Sequence, residues 1–392
     1  GSETDPYVIA TAAQLRKAVT TTDGYFFKLA NDIYVNDVSN PRWFQSTDNS
    51  EWVSGTRFSG NIDGDGHVVY GLWYPKNNTY TATGLIPMMD GGTVKNLGIR
   101  NSYIYAAKYA GAFIGRTYDG KYKALSSCFA DETVFIGYTA EGNNGAGGLI
   151  GFVNQDGSHT EPRMFIENCY SKANVSGLNN ERVNGLIGTV WNSAVKITNC
   201  YSVGVKPYFM RKSGTISSLY WDMNNGDYSN SKLGLTDINN VLSGVYSDTG
   251  APVKIENYTL LTVNDIRSAE KQAALMKGYD FDGVWQTVEG GTPKLKIFTS
   301  ISGTDLPVVN ETFNSGVGTK DDPYMIETAD QLRYLIESAS TRNKCYKLNN
   351  DIYVNDVNAV DWKTGTVNEG YTPKQWFTSE HEGGLGYEGY LA

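Results

Sequence analysis

Hydrophobic residues recur in this chain as two short phrases set among polar, glycine-rich stretches. The first joins a large apolar residue to isoleucine: Leu85-Ile86, Phe113-Ile114, Leu149-Ile150 and Leu186-Ile187, at intervals of 28, 36 and 37 residues. The second places an apolar or thiol side chain after a small polar one: Asn96-Leu97, Ser127-Cys128, Asn168-Cys169, Asn199-Cys200 and Ser218-Leu219. Strand side chains alternate between two faces, so each phrase supplies a few inward residues and no more. A unit this short cannot bury its own apolar face and must stack on its neighbours. Constant phrases at varying intervals put the length changes in loops. The pattern predicts an all-β chain built as a β-solenoid.

A longer repeat frames the short one. Asp5-Pro6-Tyr7-Val8-Ile9 returns as Asp322-Pro323-Tyr324-Met325-Ile326, and Asn31-Asp32-Ile33-Tyr34 returns as Asn350-Asp351-Ile352-Tyr353. The expected organisation is a β-helix module over residues 1–299, a linker over 300–315 and the start of a second similar module over 316–392. On this reading the chain stops inside the second copy and belongs to a larger multi-module protein. Thr11-x-x-Gln14 and Thr328-x-x-Gln331 read as capping boxes for short helices. A further helix is expected after Thr262, with Ile266, Ala269, Ala273 and Met276 inward. All three helices are assigned to covering open strand edges.

Gly148-Leu149-Ile150-Gly151, Gly185-Leu186-Ile187-Gly188, Asn168-Cys169-Tyr170-Ser171 and Asn199-Cys200-Tyr201-Ser202 resemble the GLUG-type repeats of bacterial surface proteins. Those repeats are right-handed parallel β-helices, and the resemblance covers roughly residues 60–235. The Asp-Pro-Tyr-x-Ile opening, and Gly290-Gly291-Thr292-Pro293-Lys294-Leu295 near the close, resemble module ends in surface proteins of anaerobic gut bacteria. Tandem modules of this kind resemble non-catalytic, cellulose-binding proteins associated with cellulosomes. The resemblance implies an extracellular bacterial protein, secreted or attached to the cell surface.

Charge and cysteine content narrow the chemistry. A net charge of −9 without a basic run argues against nucleic acid as a partner. No apolar stretch is long enough to insert into a membrane. Cys128, Cys169 and Cys200 share one strand register with Leu97 and Leu219, so they read as buried thiols acting as small hydrophobes rather than as a disulfide framework. Cys345 aligns with Phe27 and reads as a core residue.

Aromatic residues are the candidates for binding. Trp43 and Trp52 sit in a polar segment, and the second copy carries Trp362 and Trp376 after the same Asn-Asp-Val. Trp73 and Tyr74 follow a tight turn. Tyr170, Tyr201 and Tyr220, with Phe129, follow the Leu/Cys column and should form an outward stack. Aromatic faces suit the C–H faces of sugars, so these residues are the expected contacts for a polysaccharide such as cellulose. The competing reading makes the tryptophans plugs for an open solenoid end and the tyrosines a stack stabilising the sheet. Trp285 is assigned to anchoring a C-terminal cap.

No catalytic residue, metal ligand or cofactor is expected. Asn61-x-Asp63-x-Asp65-Gly66 opens like a calcium loop, but Leu72 stands where the closing glutamate belongs. No zincin motif, nucleophile elbow or phosphate loop is present. The leading expectation is a non-catalytic polysaccharide-binding module. The alternatives are an adhesin or structural spacer recognising protein, and a polysaccharide lyase or glycoside hydrolase assembled across coils.

Overall fold

A computed structural model of the protein describes residues 1–118, 121–140, 144–154, 162–177, 182–191, 195–203, 208–210, 215–222, 254–255, 258–261, 263–298, 312–337, 344–356, 358–361, 364, 366–372 and 390–391. The chain divides into two compact units, Gly1–Leu306 and Pro307–Ala392.

Between Tyr7 and Leu261 every described strand pairing is parallel. One coil runs through Ile114–Thr117, Lys123–Ser126, Phe129–Ala130, Val134–Tyr138 and Gly145–Gly147. Each segment pairs with its counterpart in the next coil: Ile150–Asn154, Met164–Glu167, Tyr170–Ser171, Asn174–Ser176 and Val183–Asn184. The first three segments belong to one 17-stranded sheet, and the last two form separate four-stranded sheets. The protein is a parallel β-helix. Its ladder begins at Tyr7, well before the repeats that reveal it in the sequence, because Tyr7–Ile9 already pairs with Phe26–Leu29 and that strand with the strand Arg57–Tyr70.

Aliphatic side chains stack in columns along the interior. Ile86, Ile114, Ile150 and Ile187 are in register, as are Val94, Leu125, Ile166 and Ile197. Both columns are fully buried, and Leu149 and Leu186 stand inside beside the first. Strand spacing of about 4.8 Å puts successive methyl groups in van der Waals contact, so one inward residue per coil builds a continuous core.

The second sequence phrase marks a bend. Asn96, Ser127, Asn168 and Asn199 all adopt a left-handed backbone, with φ of 55°, 51°, 52° and 52°. Short polar side chains tolerate that conformation better than bulky ones. The next residue enters the core with its N–H out of the regular ladder. Cysteine answers that need. The Cys128 and Cys169 N–H groups donate to the Sγ of Cys169 and Cys200, each at 3.4 Å. The three thiols donate to the carbonyls of Ser126, Glu167 and Thr198, two residues earlier, at 3.2, 3.1 and 3.2 Å. All three are free and fully buried, and burial pushes the Cys169 and Cys200 thiols well up. Thiol titration in denaturant without reductant should therefore count them as reduced, while the folded protein reacts slowly. A mass matching a disulfide among them would refute this arrangement.

The N-terminal helix Ala12–Ala18 has the expected capping box: Gln14 N–H donates to Thr11 Oγ1 at 3.2 Å, and Gln14 Oε1 accepts from Thr11 N–H at 3.1 Å. Leu15 and Val19 enter the main core. The expected helix after Thr262 is broken in two, Val263–Ile266 and Ala269–Leu275, because Ser268 caps a new start. The break changes the phase. Ile266 and Met276 are buried as expected, but Ala273 is exposed and Gln272 takes the inward place. Its amide donates to the carbonyls of Ile266, Val288 and Gly291 at 2.6, 2.9 and 2.8 Å and accepts from Val288 N–H at 2.8 Å.

The second unit repeats the opening. Tyr324–Ile326 pairs in parallel with Cys345–Leu348, and the helix Ala329–Glu337 carries the Thr328–Gln331 box. Cys345 is not the counterpart of Phe27. The extra residues fall before this strand, so Tyr346, buried, pairs with Tyr324 as Phe27 pairs with Tyr7, and Cys345 is only half-buried.

Candidate functional site

The predicted aromatic contacts are largely enclosed. Trp43, Trp52, Tyr74, Tyr170 and Tyr201 are all buried, so none offers a ring face to a ligand. Trp73 is half-buried. Trp362 and Trp376 lie outside the described residues, as does the side chain of Tyr220, whose backbone pairs with Tyr201 in register.

The tryptophans are closed in by the segment that carries them. Around Phe44 this segment lies on the outer face of the sheet formed by Trp73–Tyr74, Ser102–Ala106, Val134–Tyr138 and Asn174–Ser176, while Trp52 and Val53 enter the main core. Phe44 stacks on Tyr103 at 4.9 Å and contacts Phe135 at 5.7 Å. The Trp73 indole N–H donates to Phe44 O at 3.0 Å. The Trp52 indole N–H donates to Leu85 O at 2.9 Å, and Arg16 lies over its ring at 4.7 Å. Tyr74 points inward and donates to Gly84 O at 2.9 Å. A buried indole needs a partner for its N–H, and both Trp52 and Trp73 have one.

The tyrosine stack is real but covered. Phe129, Tyr170 and Tyr201 stack with centroids 5.2 and 5.0 Å apart and nearly parallel rings. Residues 279–298 run across them as a strap. Phe298 meets Phe129 edge-on at 4.8 Å, and Trp285 packs on Tyr170 and Tyr201 at 6.0 and 5.8 Å. Tyr201 donates to Pro293 O at 2.6 Å, and the Trp285 indole donates to Asn168 Oδ1 at 3.2 Å. Burial pushes the Tyr170 and Tyr201 phenols well up, as expected for hydroxyls shut away from water.

Among the described residues, one sheet face bears no such cover. On the strands around Lys123–Ser126 the inward column is Ile62, Val94, Leu125, Ile166 and Ile197, so the alternate residues face out. One outward column reads Asn61, Thr93, Ala124, Phe165 and Lys196; the other reads Asp63, Lys95, Ser126, Glu167 and Thr198. Tyr122, 53% exposed, stacks on Phe165 at 4.5 Å and 22°. The neighbouring coil lies against Tyr122 through Gly91 and Gly92, and Gly92 N–H donates to Tyr122 O at 3.0 Å. Those two positions place no side chain against the other side of the ring.

Hydrogen-bonding groups surround this ring pair. Thr93 donates to Asn61 Oδ1 at 2.9 Å, Lys95 pairs with Asp63 at 3.3 Å, and Lys121 pairs with Asp90 at 3.5 Å. Partial burial opposes the charge on Asp63, but the Asp65 N–H, the Asn96 amide and Lys95 together hold its carboxyl below the usual range. The acids of the Asn61–Gly66 turn are thus spent on lysines: Asp65 pairs with Lys28 at 2.9 Å. Among the described residues no group of three or more His, Cys, Asp or Glu could hold a metal ion. Asp131, a buried acid, is bound by Arg100 and Thr133 at the corner between two sheets, and burial pushes its carboxyl up against the pull of Arg100.

Sequence reasoning missed the Tyr122–Phe165 pair. Phe165 lies between Met164 and Ile166, inside an apolar run that reads as core. The signal was the parity of the strand: with Ile166 inward, Phe165 must face out.

No family model matches the chain. Halomucin from Haloquadratum walsbyi is 29% identical to it over 164 residues, which is 39% of this chain and 2% of that protein. The chain therefore spans a small part of that relative's length. The crystal structure of a candidate immunoglobulin A1 protease from Bacteroides ovatus shares 16% identity at a TM-score of 0.45, over 76% of this chain and 94% of the other. Among the described residues no helix is long and apolar enough to cross a membrane.

Proposed function

We propose that the protein is an extracellular, surface-associated β-helix module of a bacterium that binds polysaccharide without altering it. The binding face in this reading is the flat outer sheet around Tyr122, not the tryptophans. The observation that supports it is the exposed Tyr122 ring, braced from behind by Phe165 and flanked by Asn61, Thr93, Lys95 and Lys196. A braced ring loses little side-chain freedom on binding, and its open face can stack on a sugar while neighbouring polar groups take its hydroxyls. Cellulose and related plant polymers are the substrate class implied by the repeat resemblance. Affinity from one such face is modest, and tandem modules would raise it through effective concentration.

Retention on insoluble cellulose and a panel of other polysaccharides tests this. Tyr122→Ala should weaken retention about tenfold, equivalent to about 1.4 kcal/mol, with the thermal midpoint nearly unchanged. Equal retention of the variant would remove Tyr122 from the site. No retention of the intact chain on any polysaccharide would leave the second reading, an adhesin or spacer that meets protein. The charged column Lys28, Asp63, Lys95 and Glu167 supports that alternative, since mixed charge suits a polar protein surface.

A further inference from the structure

Two arginines on the coil face next to this site share a single aromatic ring. Arg57 pairs in register with Met88, and Met88 with Arg116, so the two share one outward column two coil rises, about 10 Å, apart. The Tyr118 ring is held by both guanidinium groups, 4.0 Å from Arg57 and 4.7 Å from Arg116. Arg116 also lies 5.8 Å from Tyr109 and 5.9 Å from Phe152, which stack on each other at 4.4 Å. Three rings thus surround one guanidinium.

Neither arginine has a carboxylate partner among the described residues, although the chain carries a net charge of −9. Several other cations are matched: Lys28 by Asp65, Lys95 by Asp63, Arg100 by Asp131, Lys121 by Asp90 and Lys172 by Glu132. The Nε–H of Arg116 is buried and has no acceptor. Ring stacking occupies the flat faces of a guanidinium and leaves its in-plane N–H edge to meet a planar or tetrahedral oxyanion. Stacking alone would explain one arginine over one ring. It does not explain two like charges sharing a ring with an unmet donor between aromatic walls.

We propose that Arg57 and Arg116, fixed by Tyr118, bind oxyanions of an acidic polysaccharide, either uronate carboxylates or sulfate esters. The inference rests on the polysaccharide reading and extends it from neutral to charged chains. Tyr118 and Tyr122 are four residues apart in the sequence, so one polysaccharide chain could meet both sites.

Affinity electrophoresis tests this with the whole chain in gels containing polygalacturonate, dextran sulfate or uncharged dextran. An acidic protein is repelled by polyanions in bulk, so retardation requires a local site. The intact chain should be slowed by at least one polyanion and not by dextran. Arg57→Gln with Arg116→Gln should lose at least tenfold in affinity for that polyanion. Arg116→Lys, which keeps charge and stem but not the fork, guards against a folding defect and should lose part of the effect. Slowing by polygalacturonate alone assigns carboxylates, by dextran sulfate alone sulfate esters, and by both the shared oxyanion. No slowing by either polyanion, equal slowing by dextran, or unchanged slowing of the folded double variant would overturn the proposal. Retention on cellulose is scored separately, so its loss with persistent slowing would sink the neutral face and leave this site standing.

Discussion

Replacing Trp285 by alanine is expected to lower the stability of the first unit by about 3–5 kcal/mol, the range for emptying a fully buried aromatic site. Trp285 is wholly inaccessible and touches Tyr170, Tyr201 and Tyr279, the last at 5.0 Å. Its removal leaves a cavity against the stacked tyrosines and an unmet acceptor at Asn168, the left-handed residue that turns the chain into the core. The cavity cannot close easily, because the tyrosines are fixed by their own coils. Urea unfolding followed by near-ultraviolet circular dichroism would read the loss as a lower midpoint. An unchanged midpoint would mean that the strap is not part of the cooperative structure.

Gly92→Ala is expected to cost more than about 4 kcal/mol, or to prevent folding, through backbone conflict rather than lost burial. Gly92 has φ +92°, and an added Cβ would lie 1.8 Å from Gly60 O in the preceding coil. Both atoms belong to backbones joined in the sheet ladder, so neither can yield without separating two coils. Gly91→Ala is the control. Its Cβ would meet Lys121 Cδ at 3.0 Å, Lys121 Cβ at 3.1 Å and Ser59 Oγ at 3.2 Å, all side-chain atoms and none closer than 3.0 Å. The two variants should therefore differ by several kcal/mol at adjacent positions. Midpoints within about 1 kcal/mol of each other would show that the coil spacing here is more accommodating than the geometry implies.

The coils and their registers were legible because repetition reveals them. Cys128, Cys169 and Cys200 were placed in one column by their spacing from Asn or Ser alone, and the register Cys200↔Leu219 matches that reading. What the sequence hid was which face each outer residue shares with distant segments. Trp43 and Trp52 lie among serines, asparagines and acids, a setting that reads as exposed. Trp43 is buried beside Phe44, which packs on Tyr103 and Phe135, and Trp52 enters the main core under Arg16, contacts that no local pattern encodes. Likewise Phe129, Tyr170 and Tyr201 do point away from the core as parity requires. They are closed off by a strap about 90 residues later in the chain, tied at Tyr201 and Pro293. The opening at Tyr7 was marked only by its return at Tyr324, because it occurs once in this unit and has no neighbour of similar sequence that gives its register.

The strap has a consequence for how the molecule comes apart. A stack of coils joined only to nearest neighbours frays from its ends, since opening the last interface costs the remaining ones nothing. Residues 285–298 touch Phe129, Tyr170 and Tyr201, three successive rungs, at once. Peeling one of these rungs breaks contacts that the other two also rely on. Those coils are therefore linked into a single opening unit, whose amide protons exchange together rather than in sequence. A one-dimensional array acquires, at that point, the all-or-none behaviour of a globular domain.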